Sequence, residues 1–111
     1  MPRIDFYIDY KLFLKIRLGD GEIVLGRGSD CQVQLPREQV SRRHAVIHPQ
    51  DDGGYRIENL SANGTRLNAS MLETPTRLGP GDRLYIADYV IIYQGDDSPS
   101  EDLESEKTVT G

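Results

Sequence analysis

In "KLFLKIRL" (residues 11–18), Leu12, Leu14, Ile16 and Leu18 alternate with Lys11, Lys15 and Arg17. A period of two places one apolar face against a core and predicts a β-strand. "GDGE" (19–22) reads as a hairpin-type turn into "IVLG" (23–26). Six more short apolar runs follow: "VQL" (33–35), "AVIH" (45–48), "YRIENL" (55–60), "TRLN" (65–68), "RLYI" (83–86) and "YVIIYQ" (89–94). Turn residues in "PQDDGG", "SANG" and "GPGD" separate several of them. Short strands spaced this closely predict an all-β sandwich or barrel, with its loops at the two ends. A helix starting at Pro36 competes locally, but Leu35, Val40 and Ala45 recur every five residues and draw no helical stripe. A loop is expected there.

Composition adds a boundary. Six of the 18 acids and one of the 13 bases lie in the last sixteen residues. Residues 1–95 are therefore charge-balanced, and the net charge of −5 belongs to the tail. The tail has almost nothing apolar and cannot offset the entropy of ordering itself. The expected organisation is one folded domain over 1–95 and a disordered acidic tail over 96–111. A generic nucleic-acid binder needs a broad basic surface, so nucleic acid is not an expected partner. No apolar run approaches the ~18–20 residues of a membrane span, and "MPRIDFYIDY" is not a signal sequence. Neither a membrane nor export is expected, which leaves a cytoplasmic protein. The single cysteine, Cys31, offers no internal disulfide and no metal cluster, and reads as a small buried apolar group in a reducing compartment.

Three segments concentrate polar chemistry. "GRGSD" (26–30) lacks the Lys-Ser/Thr and following helix of a nucleotide-binding loop. It is either a turn with an exposed arginine or an arginine aimed from a strand end at an anion. In "VSRRHA" (40–45), Ser41 and His44 suggest a nucleophile and a base, but no acid is placed to orient the histidine and no Gly-x-Ser-x-Gly elbow is present. Such a histidine more often braces a loop. Ser41 and Arg42 supply what phosphate prefers, a hydroxyl donor and a planar fork of charged donors. "NLSANGTRLN" (59–68) contains a strong Asn-Gly turn signal. The Asn63 amide also suits the N–H and C=O groups of an extended peptide.

Gly26-Arg27, Ser41-x-x-His44 and Asn63-Gly64-Thr65-x-x-Asn68, in this order and spacing, resemble the forkhead-associated (FHA) domain, and the resemblance runs from about Leu12 to Gln94. It implies a two-sheet β-sandwich of about eleven strands, FHA/SMAD-like, with ligand-binding loops at one end. It also implies recognition of phosphothreonine in an extended peptide, with no catalysis and no cofactor. By position, Arg27, Ser41 and Arg42 would contact phosphate, and Asn63 the peptide main chain. Gln39 would bear on specificity, and Gly26, His44, Gly64, Thr65 and Asn68 would be architectural. Two departures stand out: Ala62 replaces a hydroxyl residue common before Asn-Gly-Thr, and Asn59 replaces the more usual Asp, a change expected to matter little. The expected partners are a phosphothreonine protein or peptide and a Ser/Thr kinase. The chain's own tail is a further candidate, since some small bacterial relatives carry a phosphorylated terminal threonine that folds back. Thr108 and Thr110 are the matching phosphosites here, for binding in cis or in trans. The rival readings are a phosphate-independent dimerisation or docking module and a hydrolase built on Ser41 and His44.

Overall fold

The computed structural model describes residues 2–95; the tail expected over 96–111, with Thr108 and Thr110, lies outside the described residues. The chain forms eleven strands: β1 (Arg3–Ile8), β2 (Lys11–Arg17), β3 (Ile23–Gly26), β4 (Val33–Gln34), β5 (Ala45–Pro49), β6 (Tyr55–Asn59), β7 (Arg66–Leu67), β8 (Ser70–Met71), β9 (Thr76–Arg77), β10 (Arg83–Ile86) and β11 (Tyr89–Tyr93). One sheet runs β2-β1-β11-β10-β7-β8 and the other β4-β3-β5-β6-β9. All pairs are antiparallel except β3 with β4. The sandwich core is aliphatic. Ile4, Phe6, Leu84, Ile86 and Ile91 from the first sheet and Leu25, Ala45, Ile47 and Ile57 from the second are fully buried. The alternation of each strand decides which residues reach this layer.

Eight strands lie in the alternating and short apolar runs marked in the sequence; β1, β8 and β9 do not. The last two, Ser70–Met71 and Thr76–Arg77, have two residues each and fall in no apolar run. β1 does alternate, with Ile4 and Phe6 inward and Tyr7 outward, and pairs with both β2 and β11.

Two local expectations are corrected. "GDGE" is not a hairpin, because β2 pairs with β1 and the chain then crosses to β3 in the other sheet. Leu18 N–H extends the β1–β2 pairing to Pro2 C=O at 2.9 Å, and the Tyr55 hydroxyl donates to Gly19 C=O at 2.8 Å. Nor does β2 present one uniform apolar face. Its register slips between Phe6↔Leu14 and Tyr7↔Leu12, leaving Phe13 as an extra residue. This bulge reverses the alternation, so Leu14 and Ile16 pack against the core while Leu12 joins Tyr7 on the outer surface. The Phe13 ring lies 6.2 Å from Phe6 and 5.8 Å from Tyr89.

Candidate functional site

The connections β3–β4, β4–β5 and β6–β7 meet at one end of the sandwich and hold the three polar segments. The region after Pro36 is a loop with one tight turn, Val40 N–H to Arg37 C=O at 3.0 Å. A ladder of backbone bonds zips it to the end of β3. Arg27 N–H donates to Ser41 C=O at 2.9 Å, Gly28 N–H to Arg42 C=O at 3.0 Å, and His44 N–H to Leu25 C=O at 2.8 Å. Gly26 is required by this proximity: a Cβ there would meet the Arg42 carbonyl oxygen and lie 2.8 Å from its carbon.

Arg27 Nε donates to Val40 C=O at 2.9 Å, which aims the guanidinium along the loop bearing Ser41. Among the described residues neither Arg27 nor Arg42 has a carboxylate partner, whereas Arg43 lies 3.6 Å from Asp30 and Arg37 3.8 Å from Asp88. Both Arg27 and Arg42 are exposed. Two guanidiniums without a carboxylate partner among the described residues, on loops that carry Ser41 or are bonded to it, make a local anion-attracting corner.

His44 is buried and joins two loops. Its Nδ1 accepts Ser41 N–H at 3.0 Å, so Nε2 carries the proton and donates to Gly64 C=O at 2.8 Å. Burial pushes its pKa below the ordinary value, an effect only partly opposed by the Gly64 bond. With both nitrogens committed to backbone groups, neither is left to take the Ser41 hydroxyl proton. That arrangement is a brace, not a nucleophile-base pair.

The third segment is held by Asn59 and Ser61. Asn59 Nδ2 donates to Ser61 C=O at 2.9 Å, and its Oδ1 accepts Thr65 Oγ1–H at 2.8 Å and Ser61 N–H at 3.2 Å. Thr65 is fully buried, and Gly64 adopts φ +86°. The Asn63 amide reaches across to Gln39 C=O at 3.0 Å, tying two of the loops together. Asn68 stands further back with φ +54°. Its N–H donates to Arg83 C=O, its Oδ1 accepts Arg83 N–H, and its Nδ2 donates to Asp82, at 2.7, 3.0 and 3.1 Å.

Arg27, Gln39, Ser41, Arg42, His44, Asn63, Gly64 and Thr65 therefore come together at one end, and Asn68 anchors the strand pair behind them. Three residues acquire contacts that residue type alone did not indicate. Ser61 is buried and its Oγ lies 2.5 Å from Ser41 Oγ. Asn59, whose replacement of Asp was expected to matter little, gives Ser61 C=O a donor that a carboxylate lacks. Cys31 is only half-buried, and its thiol donates to Arg42 C=O at 3.0 Å rather than filling the core.

A family model described as the FHA domain matches residues 23–87. The chain is 35% identical over 94 residues to the FHA domain-containing protein At4g14490 of Arabidopsis thaliana, covering 82% of this chain and 22% of the relative. It is 32% identical over 78 residues to FhaB of Mycolicibacterium smegmatis, covering 69% and 50%. This chain thus spans half or less of the length of these relatives. Among solved structures, the FhaA FHA domain complexed with the intracellular domain of Rv3910 superposes with a TM-score of 0.71 at 30% identity, over 82% of this chain and 99% of that one. A domain studied for phosphothreonine-dependent FHA interactions superposes with a TM-score of 0.74 at 28% identity, over 86% and 99%. With the family match covering more than half its length and the two-sheet sandwich shared, this chain belongs to the forkhead-associated domain family.

Proposed function

We propose that this chain is a non-catalytic module that binds phosphothreonine in an extended peptide at the corner formed by Arg27, Ser41, Arg42 and Asn63. The observation that carries the reading is the cross-bridged pair of loops: Arg27 N–H on Ser41 C=O and Arg27 Nε on Val40 C=O, with the guanidinium free of carboxylates among the described residues. Phosphothreonine offers about −1.5 to −2 charges and three acceptor oxygens. Three charge-assisted hydrogen bonds from Arg27, Ser41 and Arg42 contribute ~5–9 kcal/mol before ordering costs, and micromolar binding needs ~8 kcal/mol. Main-chain contacts from Asn63 supply the remainder once its amide exchanges Gln39 C=O for the peptide. Gln39, exposed on the loop that bears Ser41, is proposed to meet residues after the phosphothreonine. The test is titration of matched phosphorylated and unphosphorylated threonine peptides from an oriented library into the wild type and Arg27→Ala. Binding that requires phosphate and falls at least tenfold in Arg27→Ala is expected; equal binding of both peptides refutes the reading.

Phosphorylated Thr108 or Thr110 is proposed as one such ligand, written by a Ser/Thr kinase. Gly95 leaves the sandwich at the end opposite the site, beside Pro80. Five-residue strands separate the two ends by ~17 Å, and the twelve residues between Gly95 and Thr108 reach about 40 Å when extended. Closure in cis is thus feasible only with the tail drawn along the domain; in trans it needs no such extension. Unchanged peptide affinity and hydrodynamic size after tail phosphorylation refute this part.

A second reading, docking independent of phosphate, is favoured by a groove of about 780 Å³ on the outer face of the β1-β11-β10 sheet. Tyr7, Tyr85, Val90 and Ile92 line it, and fully exposed Tyr10 stands at its rim. A partner held there would survive Arg27→Ala.

A further inference from the structure

Ser41 and Ser61 come from different loops, yet their Oγ atoms lie 2.5 Å apart. Only one of the two hydroxyls can donate in that bond, and which one does decides what Ser41 offers to a ligand. Ser61 is buried and has no other acceptor for its proton among the described residues; Ser41 is half-buried and opens toward solvent. If Ser41 donated inward, the Ser61 proton would be buried without a partner and Ser41 would show only lone pairs to an incoming anion. If Ser61 donates, its proton is satisfied and that of Ser41 is free to point outward. The surroundings favour the second arrangement. Ser61 Oγ already accepts Asn63 N–H at 2.9 Å, which polarises its hydroxyl toward donation. The Ser61 backbone is pinned on both sides by Asn59, and Ser41 N–H is fixed by His44 Nδ1.

We propose that Ser61 is a positioning residue for phosphate recognition: a relay from Asn63 N–H through the Ser61 hydroxyl to Ser41 Oγ turns the Ser41 proton toward the bound phosphate. The assignment rests on the phosphothreonine reading and deepens it. Ser61 touches no ligand and acts only through Ser41. It also gives the β6–β7 turn a hydroxyl that serves the site although the neighbouring position is Ala62.

The test is a double-mutant cycle on the full chain, read by calorimetric titration of the tightest phosphothreonine peptide from the library. Ser61→Ala is expected to weaken binding about 3- to 10-fold, the worth of one neutral hydrogen bond. In the Ser41→Ala background the same change costs less than twofold, because the residue through which it acts is gone. Ser61→Thr, which keeps the hydroxyl, restores binding to within about threefold. Wild-type-like affinity of Ser61→Ala, or an equal loss in both backgrounds, overturns the assignment while leaving the phosphothreonine reading intact. Wild-type protein that ignores phosphorylation overturns both. If Ser61→Ala does not fold, Ser61→Cys, with a far weaker donor of similar shape, takes its place under the same criteria.

Discussion

Replacing Gly26 by Ala isolates the contact between the end of β3 and the Ser41 loop. The added Cβ would lie 2.8 Å from the Arg42 carbonyl carbon and 3.0 Å from Arg43 Cα, where ordinary contacts begin at 3.4 Å. Both neighbours are backbone, so no side chain can swing aside; the loop must retreat. Retreat stretches the Arg27 N–H bond to Ser41 C=O and the Gly28 N–H bond to Arg42 C=O, now 2.9 and 3.0 Å. Two weakened hydrogen bonds at ~1 kcal/mol each and ~1–3 kcal/mol of overpacking strain give a loss of about 3–5 kcal/mol. Urea unfolding of wild type and Gly26→Ala, compared at a common slope, measures it. Molecules that stay folded should also bind phosphothreonine peptide at least tenfold more weakly, because Ser41 moves with the loop. A stability change under ~0.5 kcal/mol with undiminished binding would refute the claim that this close approach sets the site.

The two histidines give opposite pH signatures. His44 has a folded pKa below its unfolded value, so its stabilisation is complete above about pH 6.5 and is lost as pH falls through the folded pKa. For His48, burial acts downward but is outweighed by the Glu58 and Glu22 hydrogen bonds and charges, which raise its pKa. Its stabilisation is complete below about pH 6.5 and is lost as pH rises through the folded pKa. Unfolding curves of wild type and His48→Gln should therefore converge toward alkaline pH; a constant offset counts against the His48 pairing with Glu22 and Glu58. Asn68→Ala is expected to cost about 2–3 kcal/mol and Asn68→Gly about 1 kcal/mol less, since Gly accepts the positive φ that Ala resists; equal thermal melts for the two would contradict this. Phe13→Ala should destabilise by about 1–2 kcal/mol and outer-face Leu12→Thr by less than ~1 kcal/mol, so the reverse order in denaturant melts would place the bulge elsewhere. Arg42→Ala should lower phosphopeptide affinity and flatten its dependence on salt, with no change in urea midpoint.

Much of this protein was legible without coordinates because strand pairing leaves a short-range imprint. Alternation at Leu84 and Ile86, or at Tyr55 and Ile57, reports a buried face directly, and Asn63-Gly64 announces a turn. The spacing of Gly26-Arg27, Ser41-x-x-His44 and Asn63-Gly64-Thr65 carried the resemblance to the FHA family. Sheet assignment lay beyond such signals. "GDGE" has hairpin residues, yet whether β2 pairs with β1 or β3 depends on partners distant in sequence, and the Phe13 bulge that turns Leu12 outward is set by register with β1. Residue type likewise marked Ser41, but not the hydroxyl opposite it. Ser61 lies twenty residues away, and only the folding of the β6–β7 turn against the β4–β5 loop brings the two oxygens together. Local chemistry is written in order along the chain; which donor meets which acceptor is decided by long-range closure, for which neighbouring residues carry no signal.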